Sequence, residues 1–329
     1  RERVHIRLTR RHREDAVPGV GAMGRYIAKR LVFAVVTVFV VTTLTFFLMN
    51  MVPGGPFTSE NLSAQAQELI MEKYGLNDPV PVQYVRYLGD LVHGDFGTSI
   101  INAGYDVADI IADKFPVSFK LGMVAIVVSC LIGVPLGIAA AYKRGSLVDR
   151  VVTTLSSLFA SLPGFVLAVV LLYAFGMWLH VLPTSGLATW QAYILPVTAL
   201  AIGPISTLAR ITRAGLLDVL SQDSTRFLRA KGMSTRVVLF KHALRNAAVP
   251  ILTTLGPLAV GILVGNLVVE TVFSIPGLGS YLVRCITQRD YPVIMGTTIF
   301  YTTFIVVVLL IVDLLYCVVD PRVKLDGKE

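Results

Sequence analysis

The sequence predicts an all-α integral membrane protein with six transmembrane helices and both termini in the cytoplasm. Three observations carry this expectation. Apolar residues fill 54% of the 329 positions and charged residues only 15%, with a mean hydropathy of +0.70, outside the usual balance of a soluble chain. The apolar residues gather in six runs, at 31–51, 117–142, 151–179, 193–209, 249–269 and 293–319. Each can cross roughly 30 Å of hydrocarbon as a helix, which satisfies its own backbone in lipid. Between the runs, Lys and Arg alternate in abundance, with 23 on one side of the membrane, five on the other, and Lys120 inside a run. Cytoplasmic segments carry that excess, so the net charge of +8 reads as topology and not as nucleic-acid binding.

The first run leads into "NMVPGGPF" with no small-residue cleavage site, so it reads as a retained helix and not as a signal peptide. Met23, opening "MGRYIAKRL", reads as the natural start. Residues 1–22 are then a charged extension without apolar periodicity, expected to be disordered; residues 23–329 form the transmembrane domain. The outer loop 52–116 carries nine acids and contains a helical pattern. Pro81 suits a first helical position, and Val82, Val85, Leu88 and Leu91 recur every three residues, so a small folded cap is expected outside the membrane. In the second and third runs, Gly133, Pro135, Gly137, Pro163 and Gly164 would weaken a soluble helix. In a membrane they are tolerated and let neighbouring helices approach closely.

The inner loop 210–248 is the anomaly. Within it "RFLRAKGMSTRVVLFKHALRNAAVP" holds six Arg or Lys, one His and no acid. Asp223 can cap a short helix, Gly232 can end it in the left-handed conformation, and Ser234 or Thr235 can cap a second helix leading to Pro250. Phe227, Leu228 and Met233 would then be apolar groups ringed by charge, as at a protein interface. On charge alone, two readings stand: enforcement of topology with contact to anionic lipid, or a protein partner. No phosphate-binding Gly-x-x-x-x-Gly-Lys-Ser/Thr occurs in the chain, so any ATP-driven motor must be another subunit.

This block resembles the cytoplasmic coupling segment of ABC-importer permeases, in the oligopeptide and dipeptide branch. Over 23–329 the likeness includes "RLVFAVVTVFVVTTLTFFLMNMVPGGPF", "YGLNDPVPVQYVRYLGDLVHGDFGTS", "VVETVFSIPGLGSYLVRCITQRDYPVI" and "DLLYCVVDPR"; "VPGGPF" is most like the first permease of an oligopeptide system. The resemblance implies the type I ABC importer permease fold in a bacterial cytoplasmic membrane. It implies a helix of Arg226, Phe227, Leu228, Arg229, Ala230 and Lys231, cornered at Gly232, that fits a groove on a cytoplasmic ATPase. The general importer signature has Glu-Ala-Ala where this chain has Arg226-Phe227-Leu228. The implied partners are a second homologous permease, two cytoplasmic ABC ATPases, an extracytoplasmic peptide-binding lipoprotein and membrane lipid. ATP and magnesium would be used by those ATPases, with no cofactor or metal bound by this chain, and transport would proceed by alternating access. A relative carrying nickel, an opine or glutathione, or a secondary carrier without ATP, is the alternative.

Four further features bear on function. Glu270, with Pro276 and Gly277 in "TVFSIPGLGS", lies near the outer mouth in the implied fold; the other reading of Glu270 is a solvated helix end. Asp313 lies inside the sixth run, where a carboxylate is costly, and pairing with Lys29 or Arg30 is expected in preference to a proton relay. His180 and Ser185 share an outer loop but lack the setting of a serine nucleophile. Cys130, Cys285 and Cys317 show no metal-ligand spacing.

Overall fold

The computed structural model describes residues 20–52, 71, 75, 77–102, 104–234, 237–264 and 267–319, apart from some side chains within them, including those of Arg226 and Arg229. The expected disorder of residues 1–22 falls outside these up to residue 19, while residues 20–22 are helical. Among the described residues, five helices are long and apolar enough to cross a membrane, or six when one sharply bent pair is taken as a single span.

Helix α1, Val20–Met51, has 32 residues and so runs about 48 Å, longer than the hydrocarbon layer. Next, α2, Val80–Val92, starts behind Pro79 and carries Pro81 in its first turn, where a missing N–H costs nothing. It lies on α1 through Tyr84, whose hydroxyl is 2.6 Å from Thr43 Oγ1 and whose ring is 5.2 Å from Phe46. Helix α3, Val107–Tyr142, starts ten residues before the expected span, so helix replaces the end of the expected outer loop. Residues 107–116 are apolar enough to pack, with Val107, Ile110 and Ile111 buried, but they carry Asp109, Asp113 and Lys114, which broke the run in the sequence. Lys120 places its ammonium 5.5 Å from the Tyr193 ring, a cation–π contact for the one cation inside a run.

The third run is not a single rod. Ser146 caps α4, Leu147–Ala160, which stops at Ser161; α5, Gly164–Leu171, continues as a π-helical stretch to Trp178, and the two parts meet at 100°. Pro163 offers no N–H to the turn before it, which removes the bond that would have carried the helix on. A 3₁₀ turn, Trp190–Tyr193, opens α6, Ile194–Ser221, which extends twelve residues past the expected span.

Helices α3 and α6 are the spine of the bundle. A Cβ on Gly133 would lie 2.9 Å from the Ile205 carbonyl, and one on Gly137 would lie 2.5 Å from the Ala209 carbonyl. Two glycines one turn apart thus let the backbones touch, as small residues do where lipid supplies no hydrophobic drive.

Past α6 come α7, Asp223–Ala230, and then a π-helical turn, Val238–Ala243, that opens α8, Leu244–Val264. Then follow α9, Leu267–Val272, α10, Leu278–Gln288, and α11, Tyr291–Val319. Phe115 of α3 stands edge-on to Phe300 and Phe304 of α11 at 4.8 and 4.9 Å. Arg30 of α1 pairs with Asp313 of α11 at 3.0 Å, which sets the N-terminal part of the first helix beside the C-terminal part of the last.

Candidate functional site

Two places bring the singled-out residues together: an elbow at one end of the bundle and a glycine cradle at the other. At the elbow, Gln222 turns extended (ψ 151°) and breaks α6 from α7. Thr225, 3% exposed, donates its hydroxyl to the Val219 carbonyl at 2.8 Å, which latches the first turn of α7 onto the last turn of α6. Asp223 stands in that first turn, where a carboxylate opposes the helix dipole.

The helix ends as glycine allows. Gly232 has φ +82° with open space around it, and Met233 N–H donates to the Leu228 carbonyl at 3.3 Å, a left-handed C-terminal closure. The expected second cap is Ser234, which accepts from Val237 N–H at 3.5 Å. Phe227 is 59% exposed, with the Lys231 ammonium 4.6 Å over its ring. Met233, Val237 and Phe240 in the following segment are also exposed, while Leu228 is half-buried. The elbow is therefore a short helix, latched at its start by Thr225 and closed at Gly232, presenting an aromatic tip under the Lys231 ammonium.

At the other end, Glu270 is fully buried, which removes the reading of a solvated helix end. Its carboxylate Oε2 accepts from Ser280 N–H at 3.0 Å, and its backbone carbonyl accepts from Ile275 N–H at 2.8 Å. Ser118 of α3 accepts from Leu278 N–H at 2.9 Å. A Cβ on Gly277 would run into the Glu270 carboxylate and lie 2.5 Å from Ser118 Oγ, and one on Gly279 would lie 2.9 Å from Glu270 Oε2. The glycines of "IPGLGS" are thus needed because a carboxylate lies against their backbone. Of the three expected mouth residues, Pro276 is exposed, and Gly277 and Glu270 are buried beneath it.

Sequence reasoning missed the counterpart of Glu270. Asp290, also fully buried, accepts from Ser99 Oγ at 2.5 Å and from the N–H groups of Ile100 and Ile101 at 3.2 and 3.5 Å. Its own carbonyl receives Ile294 N–H at 3.0 Å. The available signal was an acid just ahead of Tyr291-Pro292, at a helix start. The Tyr281 hydroxyl accepts from Asn102 Nδ2 at 2.8 Å. Helix α10 is therefore held by a buried carboxylate at each end. Burial, and then the Asp290 charge, push the Cys285 thiol on α10 up to about 12.

His180 Nδ1 lies 3.2 Å from the Trp178 carbonyl. Among the described residues, no group of three or more His, Cys, Asp or Glu could hold a metal ion.

The comparisons with known proteins agree with one another. Residues 133–325 match the family model described as binding-protein-dependent transport system inner membrane component, and residues 23–122 match the model of its N-terminal region. The dipeptide transport system permease protein DppB of Bacillus subtilis is 44% identical over 310 residues, 93% of this chain and 100% of its own length. The oligopeptide transport system permease protein OppB of Escherichia coli is 39% identical over 308 residues, 92% of this chain and all of its own. Among solved structures, the MetNI methionine ABC transporter in an inward-facing conformation aligns with a TM-score of 0.52 at 16% identity, covering 64% of this chain and 96% of that one. An amino acid ABC transporter with histidines aligns with a TM-score of 0.51 at 19% identity. At such identities the structures speak for the fold alone.

Proposed function

This chain belongs to the family of binding-protein-dependent transport system inner membrane components, and we propose from that premise that it is the permease subunit of an ATP-driven importer of peptides. It is a multi-pass inner-membrane protein and a transport subunit, one that works with ATPase and further permease subunits. The dipeptide and oligopeptide permeases that match it over their full length support the substrate class.

The finer assignments are ours. Helix α7, from Arg226 through Phe227, Leu228, Arg229 and Ala230 to Lys231 with its corner at Gly232, is the element that two cytoplasmic ATPases grip, one for each of the paired permeases. The observation that carries this is a short helix closed at Gly232 whose large apolar tip, Phe227, is 59% exposed with Lys231 over its ring. The excess of Lys and Arg on the elbow side, 23 against five, supports a cytoplasmic position for that face and for both termini. At the outer face, Pro276, with Glu270 and Gly277 beneath it, borders the mouth where an extracytoplasmic lipoprotein delivers peptide. ATP and magnesium act in the ATPases. The motors close, draw the α7 helices together and open the outer face to the delivered peptide; hydrolysis then reverses the movement.

The test is reconstitution of the chain with its second permease and ATPases in proteoliposomes. Peptide-loaded binding protein outside and ATP inside should give uptake that vanadate abolishes. Uptake driven by a proton or sodium gradient without ATP would overturn the reading.

A further inference from the structure

We infer that Asp149 and Arg213 form the mechanical link through which a displacement of α7 reaches the bent span α4–α5. The inference rests on the importer reading of α7. Three observations carry it. First, α7 and α6 move together at the elbow, because the buried Thr225 hydroxyl is bonded to the Val219 carbonyl. In the same region Leu216 and Val219 pack with Leu239, Ala243 and Ala247 of the following segment.

Second, Arg213 stands on α6 two turns before its end and grips Asp149 with two donors, Nε to Oδ1 at 2.5 Å and Nη2 to Oδ2 at 3.0 Å. Asp149 is 5% exposed, and its carboxylate also accepts from Gly145 N–H at 2.9 Å and from the Thr153 hydroxyl at 3.4 Å. The aspartate thus binds the α3–α4 turn and the first turns of α4 into one body. A forked guanidinium on a carboxylate fixes angle as well as distance.

Third, the pair is the charged link between α4 and the α6 helix it packs on. The buried residues of α4 are Asp149 and Ser156 alone among the described side chains, while Leu147, Val151, Leu155 and Leu158 are exposed. Side chains that slide in lipid transmit no force. A bidentate ion pair buried against neighbouring helices does, because separating it leaves an uncompensated charge. Helix α5 is itself tied to α6 by apolar packing, Ala168 lying in one buried cluster with Leu195, Val197 and Ala199, so it is the α4 half of the bent span whose angle to α6 is fixed by the polar link.

The experiment uses the full complex in proteoliposomes and reads peptide taken up per ATP hydrolysed, with the amount of assembled complex measured alongside. Asp149→Asn and Arg213→Lys, which keep size and hydrogen-bonding capacity but lose the charge or the fork, should lower that ratio about tenfold. The double variant D149R/R213D should recover part of what D149R alone loses. The inference is overturned if D149N and R213K assemble and keep the wild-type ratio. It is also overturned if their uptake falls only in proportion to lost complex, or if the charge exchange recovers nothing over D149R. Wild-type complex that shows no ATP-driven uptake would instead sink the importer reading, so the two failures are separable.

Discussion

Replacing Phe227 by alanine removes the apolar tip of α7 without touching the bundle. The side chain is 59% exposed, so the fold loses little. If an ATPase covers this ring, docking removes about 120 Å² of apolar surface from water, taking an aromatic side chain as about 200 Å². At about 25 cal/mol per Å² that is about 3 kcal/mol, or roughly a hundredfold in affinity. Lys231 over the ring stiffens the tip, so the ordering cost of docking is small and most of that value should be realised. The assay is direct binding of the purified ATPase subunits to the permease pair in nanodiscs, at fixed salt, for wild type, Phe227→Leu and Phe227→Ala. Leucine should hold an intermediate affinity and alanine should lose roughly a hundredfold, with thermal stability unchanged. If alanine binds within about threefold of wild type, Phe227 is not in the groove and the reasoning that made α7 a gripped element fails with it.

Other outcomes follow from the same structure. Gly232→Pro, at φ +82°, and charge reversal across Arg226, Arg229 and Lys231 should each leave the complex in the membrane but lower peptide uptake per ATP hydrolysed. Wild-type ratios would refute the elbow assignment. Gly137→Val forces two branched methyls against the Ala209 carbonyl and Thr212; it should cost about 3 kcal/mol or more and depress the melting temperature of the detergent-solubilised protein, whereas an equally stable variant would contradict the α3–α6 contact. Asp290→Ala strands the donors of Ser99, Ile100 and Ile101 and should destabilise by about 2–4 kcal/mol, with Asp290→Asn recovering part in the same melt. With its thiol held at about 12, Cys285 at pH 8 exists as thiolate in about one molecule in ten thousand, against about a quarter for an ordinary thiol. Maleimide should therefore label it far more slowly than a cysteine placed at the exposed Pro276, and the rate should rise with pH up to about 12.

The elbow was legible because its signals are local. Asp223, Gly232 and Ser234 lie within twelve residues of one another, and each acts on the backbone beside it. The first helix there was expected to be capped by Asp223 and is observed with Asp223 at its first position, whereas the second opens as a π-helical turn and runs on through Pro250 to Val264. The bend after α4 was half legible. Pro163 marked the place, but the sequence counted one span, and the 100° angle depends on what α4 and α5 pack against. The two ends of α10 were not legible. Glu270 followed an apolar run and read equally as a solvated end; Asp290 lay in a polar stretch. Their donors include Ser118 and Ser99, about 150 and 190 positions away, and no spacing rule reaches so far.

Composition, the apolar runs and the placement of Lys and Arg determined by themselves that this chain lives in a membrane, about how many times it crosses, and where its one basic elbow lies. Those properties follow from transfer of side chains between water and hydrocarbon, which each residue contributes independently of its neighbours in space. Only the tertiary structure decided which charges are buried and with whom: Glu270 in the glycine cradle, Asp290 on the loop before α3, and Asp149 in the fork of Arg213. Helices that are apolar on every face carry no stripe to say which side turns inward. Their rotation is settled by close packing, such as Gly133 and Gly137 against α6, and the polar partners are fixed only once that packing is made.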